Sequence, residues 1–369
     1  MSLSITRGSG PVAALPDRAG CEDGPRSNPG AGTDAGRYTC AWASRNGGWW
    51  PALAVGVCVF LALPALAVGK VRIVATTPGL ADIAKNVGGQ YVSVESLMRG
   101  PENIHHVKPK PSFVIKVKHA DLFVHTGLDI ELWATQLVKS ARNVNLLPGH
   151  PGDVDVSRGI ALKEVPQRGQ LSRALGDIHV YGNPHYALDP LNGIIIARNI
   201  TDALKRADAA HAAEYQKNYE AYAQRLRDLT ARLVEKMRPY AGTKVVVYHR
   251  AWPYFRDRFG LVKVDEVEPK PGISPGPQHL ASCIDTMKGD NAKIVMVETY
   301  NSKKNAQFIA DHVGGRAVVM AQEVRAVKGV DTYEKMFEYN VDALIDAFKA
   351  VGIQPKAGGA APAAATSTP

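Results

Sequence analysis

The stretch YQKNYEAYAQRLRDLTARLVEKM, residues 215–237, decides the fold that this sequence can adopt. Its large apolar side chains recur at intervals of four, three, four, three, four and four residues, the spacing of one face of an α-helix. They are Tyr215, Tyr219, Tyr222, Leu226, Leu229, Leu233 and Met237. Because no Gly or Pro interrupts the pattern before Pro239, we predict one continuous helix over residues 208–239. Such a helix is about 45 Å long, enough to join two lobes as a rigid spine.

Short apolar runs lie on both sides of this helix. They are residues 71–77, 121–126 and 144–147 before it, and residues 244–248, 262–267, 294–297 and 317–320 after it. Strands that alternate with helical stretches of about 10–20 residues predict parallel sheets with crossover helices. We therefore predict an α/β fold with two lobes, each a mostly parallel sheet with flanking helices, over residues 70–207 and 240–352.

The two ends of the chain differ in composition from the part between them. Residues 1–44 are rich in Gly, Pro, Ser and Asp, which predicts disorder or a start codon assigned too far upstream. Residues 353–369, rich in Ala, Pro and Gly, are predicted to be a disordered tail. Residues 45–67 pass from Arg45 through an apolar stretch to Ala-Leu-Ala, the pattern of a secretory signal peptide with its cleavage site.

This apolar stretch leaves two alternatives open. A cleaved signal places the mature protein in the periplasm or an equivalent extracytoplasmic compartment. A retained membrane anchor is the alternative, although Pro51 and Pro64 shorten the apolar run below the ~20 residues that a spanning helix needs. In either case we expect a monomer.

The charge distribution argues against nucleic-acid binding, and the cysteine content excludes one type of zinc site. The 44 Lys+Arg and 35 Asp+Glu residues give a net charge of +9, but acidic residues are interleaved with the basic ones and no run of five basic residues occurs. Because the aromatic and basic alternation of an RNA-binding sheet is also missing, nucleic acid is not an expected partner. Three of the four cysteines lie before residue 68, which leaves Cys283 alone and excludes a CxxC zinc knuckle.

Three of the eleven histidines stand in places where a parallel sheet binds ligands, beside the ends of predicted strands. His105 lies in a loop between strand and helix, His185 in a turn before a helix, and His249 directly after the strand KVVVY. If the lobes face each other, these side chains converge, and three imidazoles with one carboxylate suit tetrahedral Zn²⁺. The spacings of 80 and 64 residues do not by themselves indicate a metal site, since a loop histidine is usually an ordinary surface residue.

The residues around these histidines resemble the metal-binding solute receptors of ABC importers, the ZnuA/TroA-type family. The resemblance rests on His-x-x-x-Pro-Lys-Pro-Ser at 105–112, Asn-Pro-His-x-x-x-Asp-Pro at 183–190, and Tyr-His-x-x-Trp-x-Tyr-Phe at 248–255. Residues 268–279 and 330–341 are also similar to that family, and the whole resemblance covers about residues 70–350.

The resemblance implies two α/β lobes joined by one long helix, with a metal ion in the cleft between them. It also implies an ABC transporter permease at the membrane as partner. It assigns His105, His185 and His249 as the first three metal ligands. The fourth ligand of the family is a carboxylate or water after the last core strand, for which Glu323 is our choice and Glu298 the rival.

The chain departs from the family around the first ligand. The family has Asp-Pro before that His, whereas residues 103–104 here are Asn-Ile, and the aromatic-Glu pair before Pro is Val-Lys at residues 107–108. The adjacent His106 is therefore an alternative first ligand. His179 is a further candidate, either assisting metal capture or serving as a plain surface residue.

Ligand chemistry favours zinc among the metals. Manganese prefers more oxygen ligands, and manganese receptors of this family resemble sites with two carboxylates, whereas this chain has His249 instead of Glu in the third position. We therefore expect a Zn²⁺ receptor, with Mn²⁺ or Fe²⁺ as the alternative cargo. A metal-binding adhesin on the same fold is also open. A secreted zinc hydrolase, with Glu298 or Glu323 as base, is disfavoured because catalytic zinc sites usually draw two ligands from one short segment.

Overall fold

The computed structural model describes residues 69–166 and 179–356. The leader predicted over residues 1–67 and the tail beyond residue 356 lie outside the described residues. All described residues belong to one compact unit, Leu66–Pro369. Within these ranges no helix combines the length and the apolar character needed to cross a membrane.

The first lobe is built on a parallel four-stranded sheet with the order β2-β1-β3-β4. Its strands are β1 (Val71–Ala75), β2 (Val92–Ser96), β3 (Leu122–His125) and β4 (Asp153–Asp155). Its helices are α1 (Pro78–Gly88), α2 (Pro111–Lys118) and α3 (Leu132–Ala141). On the central strand, Ile73 pairs with Val94 and Leu122 of the two neighbouring strands, which makes the middle of the sheet apolar.

The second lobe repeats this arrangement with the strand order β6-β5-β7-β8, again all parallel. Its strands are β5 (Lys244–Val247), β6 (Val262–Glu266), β7 (Ile294–Glu298) and β8 (Arg316–Met320). Its helices are α6 (Pro253–Phe259), α7 (Pro277–Gly289), α8 (Lys303–Asp311) and α9 (Tyr333–Ala350). The two-lobed α/β fold with parallel sheets is therefore confirmed.

Both faces of each sheet are covered, as parallel sheets with crossover helices require. The outward faces have separate apolar clusters, in which Val74 and Phe123 pack with α2 and α3, and Val246 and Val295 pack with α7 and α8. The inward faces belong to one larger cluster that runs through both sheets and the helices between them. The two lobes are thus held together by shared apolar packing as well as by the chain.

Two helices, α4 (Asn192–Ala207) and α5 (Ala212–Met237), connect the lobes. The long helix predicted from the apolar stripe is α5, with 26 residues, and it begins at Ala212 rather than at residue 208. Asp208 causes the difference, because it ends α4 with a non-helical backbone and its carboxylate lies 2.7 Å from both His211 Nδ1 and Tyr215 Oη. A single turn of 3₁₀ helix, Ala209–His211, lies between α4 and α5.

The apolar face of α5 packs on helices of both lobes. It contacts α1 and α4 on one side and α6 and α9 on the other. Its buried residues are Tyr215, Tyr222, Ala223, Leu226, Leu229, Thr230, Leu233 and Met237. Tyr219 of the predicted stripe is only half-buried. The exact domain boundaries on either side of this helix remain a prediction.

The strand prediction fails in three places in the first lobe. Residues 144–147 were expected to form a strand, but Val144–Leu146 is a turn of 3₁₀ helix, with Val144 exposed and the Asn143 amide bonded to the carbonyl of Ala120. The edge strand β4 lies further on, and two of its three residues are Asp. The strand β2 contains Glu95. A search for apolar runs misses both strands because edge strands keep one side in water.

The shared core gives a first prediction, for α5. Leu226 is fully buried against helices of both lobes, so Leu226→Ala should lower the free energy of unfolding by about 2–5 kcal/mol through lost burial and a residual cavity. The exposed neighbour Arg227 is the matched control, and Arg227→Ala should change it by less than about 0.5 kcal/mol. Urea unfolding of the two variants measures the difference. If both variants changed the free energy of unfolding equally, the apolar face of α5 would not contribute to the core.

Candidate metal site

Three histidines from distant parts of the chain meet in the cleft between the lobes. His105 lies in a 3₁₀ turn after β2, His185 directly precedes the 3₁₀ turn Tyr186–Leu188, and His249 follows β5. One ring nitrogen of each lies within 4.8 Å of the other two, and Nε2 of His105 is 3.3 Å from Nε2 of His185. Among the described residues this is the only group of three or more His, Cys, Asp or Glu side chains so close together.

An asparagine fixes the His185 ring. Asn183 Oδ1 lies 3.1 Å from His185 Nδ1 and also accepts the backbone N–H of His185. Because an amide oxygen only accepts, Nδ1 must carry the proton, and the Nε2 lone pair then points to the other imidazoles. The Asn183 amide nitrogen in turn donates to the carbonyl of Arg250 and to Glu164, so this support spans both lobes.

A carboxylate fixes the His249 ring in the same way. Glu268 Oε2 lies 2.7 Å from His249 Nδ1 and also accepts the backbone N–H of Gly272. Both side chains are buried. A carboxylate on the far nitrogen of an imidazole orients the ring and makes it a better metal ligand. The first lobe and the second lobe thus each supply an oriented histidine.

The loop that carries His105 is fastened at two points. Asn103 Oδ1 accepts the backbone N–H of His105 at 3.0 Å. Trp133 in α3 donates from Nε1 to the carbonyl of Ile104 at 2.9 Å. These bonds place the His105 ring centroid 5.3 Å from that of His185 and 5.5 Å from that of His249.

Burial favours the neutral form of the His105 and His185 imidazoles. It lowers the pKa of His105 to about 2, with a smaller contribution from the neighbouring imidazoles, of which His249 is the largest. Burial likewise lowers the pKa of His185 well below its usual value, and His105 and His249 add to the effect. A metal ion binds only the neutral form of imidazole, so both side chains are in the form that can bind a metal ion at neutral pH.

The two candidate carboxylates lie outside this close group of three. Glu298, at the end of β7, is buried and accepts hydrogen bonds from Trp252 Nε1 and Asn301 Nδ2. Burial raises its pKa, and the electrostatic interaction with His249 acts in the opposite direction. Glu323 accepts from the backbone N–H groups of Gly79 at 2.7 Å and Val324 at 2.8 Å, and burial raises its pKa to about 7. Its assignment as the fourth ligand remains a prediction.

The two further candidate histidines, His106 and His179, lie at different distances from the site. His106 is exposed, and its ring centroid lies 6.2 Å from that of His105. His179 stacks on the His105 ring at 5.1 Å and lies 6.3 Å from the His185 ring. Neither belongs to the close group within the described residues. The position of His179 makes it a neighbour of the site rather than a distant surface residue.

A cavity of about 60 Å³ adjoins His185 and is also lined by Glu323, Tyr300 and Gln322, among others. Sequence reasoning did not assign Asn183 or Glu268 as orienting groups. Signals were present for both, because Asn183 stands two residues before a turn histidine and Glu268 lies two residues after β6, the strand beside that of His249. An acceptor in such a place is what a metal-binding histidine requires.

Comparison with known proteins identifies the family. The family model for the zinc-uptake complex component A, periplasmic, matches residues 73–347. The iron-binding protein YfeA of Yersinia pestis is 28% identical over 288 residues, covering 76% of this chain and 86% of that protein. The zinc uptake protein ZnuA of Brucella abortus is 30% identical over 163 residues, covering 44% of this chain and 49% of that protein.

Solved structures share the fold. A crystal structure of ZnuA has a TM-score of 0.64 at 24% identity, covering 75% of this chain and 99% of that one. A manganese-bound periplasmic metal-binding protein from Candidatus Liberibacter asiaticus has a TM-score of 0.62 at 22% identity, with the same coverage. The homologues are binding components of transporters and not enzymes. This chain belongs to the family of periplasmic zinc-uptake components, the metal-binding receptors of ABC transporters.

Proposed function

We propose that this protein captures Zn²⁺ between its lobes, outside the cytoplasm, and delivers it to the permease of an ABC importer. The observation that carries the proposal is the group His105, His185 and His249, whose nitrogens lie within 4.8 Å of one another. Imidazole nitrogens suit Zn²⁺, whereas Mn²⁺ prefers oxygen ligands. The acceptors on Nδ1 of His185 and His249 add the second layer of support that metal-binding histidines usually have.

The fourth position of the proposed tetrahedral site is filled by a carboxylate or by water. Glu323 remains our choice, because it lines the same cavity as His185. Backbone N–H groups already hold one of its oxygens, so we expect its loss to weaken binding less than the loss of a histidine. Glu298 is the rival, since it is buried and interacts electrostatically with His249.

A manganese or iron receptor is the second candidate function. The observation that favours it is the buried carboxylate of Glu298 near His249, because a harder metal ion prefers oxygen ligands. The similarity to the iron-binding protein YfeA also favours this second candidate.

The cargo is tested by metal binding to the purified mature protein. We expect one Zn²⁺ per chain after dialysis, and a higher melting temperature with Zn²⁺ than with equimolar Mn²⁺. A thousandfold excess of ligand over its dissociation constant stabilises the folded state by about 4 kcal/mol. Elemental analysis and thermal unfolding measure both quantities. A larger shift with Mn²⁺ would favour the second candidate, and no shift with any divalent ion would refute the receptor proposal.

The ligand assignment is tested by single substitutions. His185→Ala and His249→Ala should each weaken Zn²⁺ binding by orders of magnitude, because each removes a bond to the metal. His105→Ala should match them, whereas His106→Ala and the exposed control His150→Ala should cost tenfold at most. Titration against a competing chelator measures each dissociation constant.

The same titration compares the carboxylates. Glu323→Ala should give an intermediate loss, because water can take a vacated position on zinc. If Glu298→Ala is the more damaging variant, Glu298 is the fourth ligand. If His106→Ala abolishes binding and His105→Ala does not, the first ligand is shifted by one residue.

The proposed compartment rests on residues 45–67. If they are a signal peptide cleaved after Ala67, the mature chain begins at Val68 and is recovered outside the cytoplasm. Terminal sequencing of the protein from the periplasmic fraction measures this directly. Recovery of an intact Met1 from the cytoplasm would overturn the localisation.

A further inference from the structure

The turn that carries His185, residues 182–190, comes before α5 in the chain, yet side chains of the second lobe bind it at three points. All of its residues except His185 and Ala187 are buried. The 3₁₀ turn that carries His105, Ile104–His106, contains no buried residue. The protein therefore holds these two histidines in different ways, although both precede α5.

The first point is an ion pair between Arg258 of α6 and Asp189, four residues after His185. Arg258 Nε lies 2.9 Å from Asp189 Oδ1 and Nη2 lies 2.8 Å from Oδ2, so the guanidinium donates to both carboxylate oxygens. The two side chains are only 13% and 10% exposed. Because the guanidinium fork matches a carboxylate in one planar geometry, this pair fixes direction as well as distance. It therefore fixes the turn relative to α6.

Two buried tyrosines of the second lobe supply the other points. Tyr254 of α6 donates from Oη to the carbonyl of Asn183 at 2.8 Å. Tyr333 of α9 donates from Oη to the carbonyl of Ala187 at 2.6 Å. Both tyrosines are only 1% exposed. Asn183 and Ala187 lie two residues before and two residues after His185, so the second lobe holds the backbone on both sides of this histidine.

The contacts of this turn with segments of the first lobe lead in part back to α6. The backbone N–H of Asn183 donates to the carbonyl of Lys163 at 2.8 Å. Lys163 in turn donates its own N–H to Tyr254 Oη at 3.0 Å, and its ammonium pairs with an acidic side chain of the same helix. The direct bond to the first-lobe sheet runs from Tyr186 Oη to the carbonyl of Thr126, at 2.6 Å. Among the described residues, the turn is thus bound to α6 at more points than to that sheet.

His249 is attached to the same helix. It lies four residues before Pro253, the first residue of α6, and Trp252 between them is the N-cap residue. Trp252 is buried and donates from Nε1 to Glu298 at the end of β7, which fixes the start of α6 on the second sheet. The ring centroids of His185 and His249 are 5.4 Å apart. A short and well-packed path through α6 therefore connects these two histidines.

We propose, on the basis of the proposed zinc function, that Arg258 and Tyr254 are positioning residues for His185. They act through Asp189 and Asn183 rather than on the metal ion, and they hold His185 beside His249. The two imidazoles form a preassembled pair on the second lobe, and His105 adds the third nitrogen from the first lobe. Metal affinity then depends on a helix, α6, that contributes no ligand.

Two conservative variants of the mature protein test this role. Tyr254→Phe removes only the hydroxyl and keeps the buried ring, whereas Arg258→Lys keeps the charge and loses the two-pronged contact with Asp189. Each should weaken Zn²⁺ binding by about tenfold or more, the lower end of the effect of groups that orient metal ligands. Titration against a competing chelator measures the dissociation constants.

Two control variants match the chemical change and the loss of stability. Tyr339→Phe removes the same kind of hydrogen bond, from Tyr339 Oη to the carbonyl of Val319 inside the second lobe. Ile309→Ala removes buried apolar volume from the outer cluster of that lobe, away from the turn. Both controls should keep the Zn²⁺ dissociation constant within about threefold of the parent value, since outer-shell effects on metal affinity belong to groups that orient a ligand.

Combination with ligand variants separates positioning from a general loosening of the fold. Because Arg258 acts through His185, Arg258→Lys should change the residual affinity by less than about twofold in the His185→Ala background. In the His105→Ala background it should keep its full effect. A general loosening would weaken binding equally in both. The visible absorption spectrum of bound Co²⁺, which accepts similar ligands to Zn²⁺, should change in Arg258→Lys and Tyr254→Phe and stay the same in both controls.

The outcomes distinguish this proposal from the receptor function. If the parent protein binds Zn²⁺ and both test variants stay within threefold of it, the positioning role is overturned and the receptor function is intact. Equal losses from Arg258→Lys in the two histidine backgrounds overturn it as well. A parent protein that binds no Zn²⁺ overturns the receptor function, and the positioning of a zinc ligand with it. If Arg258→Lys does not fold, Tyr254→Phe is used in the same backgrounds, because it acts on His185 through Asn183.

Discussion

The packing of α5 against helices from both lobes is the constraint on which the site depends. His105 and His185 come from segments before this helix and His249 from a segment after it. Their nitrogens stay within reach of one ion only while the two sheets keep their relative position. The inward faces of both sheets belong to the same apolar cluster, so a change in that position would expose core residues to water.

Hydrogen bonds between the lobes add directional contacts to this apolar packing. Asp82 in α1 accepts the backbone N–H of Tyr333 in α9, and Glu323 of the second lobe accepts the N–H of Gly79 in the first turn of α1. Glu323 fits there because Gly79 has no side chain, and a Cβ at Gly79 would lie 2.6 Å from the carboxylate oxygen. Near the histidines, Asn183 links the His185 ring to the carbonyl of Arg250. The imidazoles are therefore oriented before any metal arrives.

Much of this architecture follows from the sequence because it depends on apolar periodicity. The stripe from Tyr215 to Met237 predicted α5, and apolar runs predicted six of the eight strands. The edge strands β2 and β4 were missed because they contain Glu95 and two Asp residues. The three histidines were identified by the motifs around them rather than by their spacing. Their partners Asn183 and Glu268 depend on how loops fold in three dimensions, which periodicity does not encode. Periodicity does not select the fourth ligand for the same reason, since Glu298 is buried, Glu323 is half-buried, and both are hydrogen-bonded.

The continuity of α5 has a consequence for metal release. From Ala212 to Met237 the helix contains neither Gly nor Pro, so α5 itself offers no hinge between the lobes. If the three histidines bind a metal ion as proposed, the site is already assembled, so no binding free energy would be spent on reaching a rare competent conformation. The same rigidity of α5 would then work against release of the ion. Under the proposed function, the free energy of release would come from docking on the permease, or from movement of the loop that carries His105.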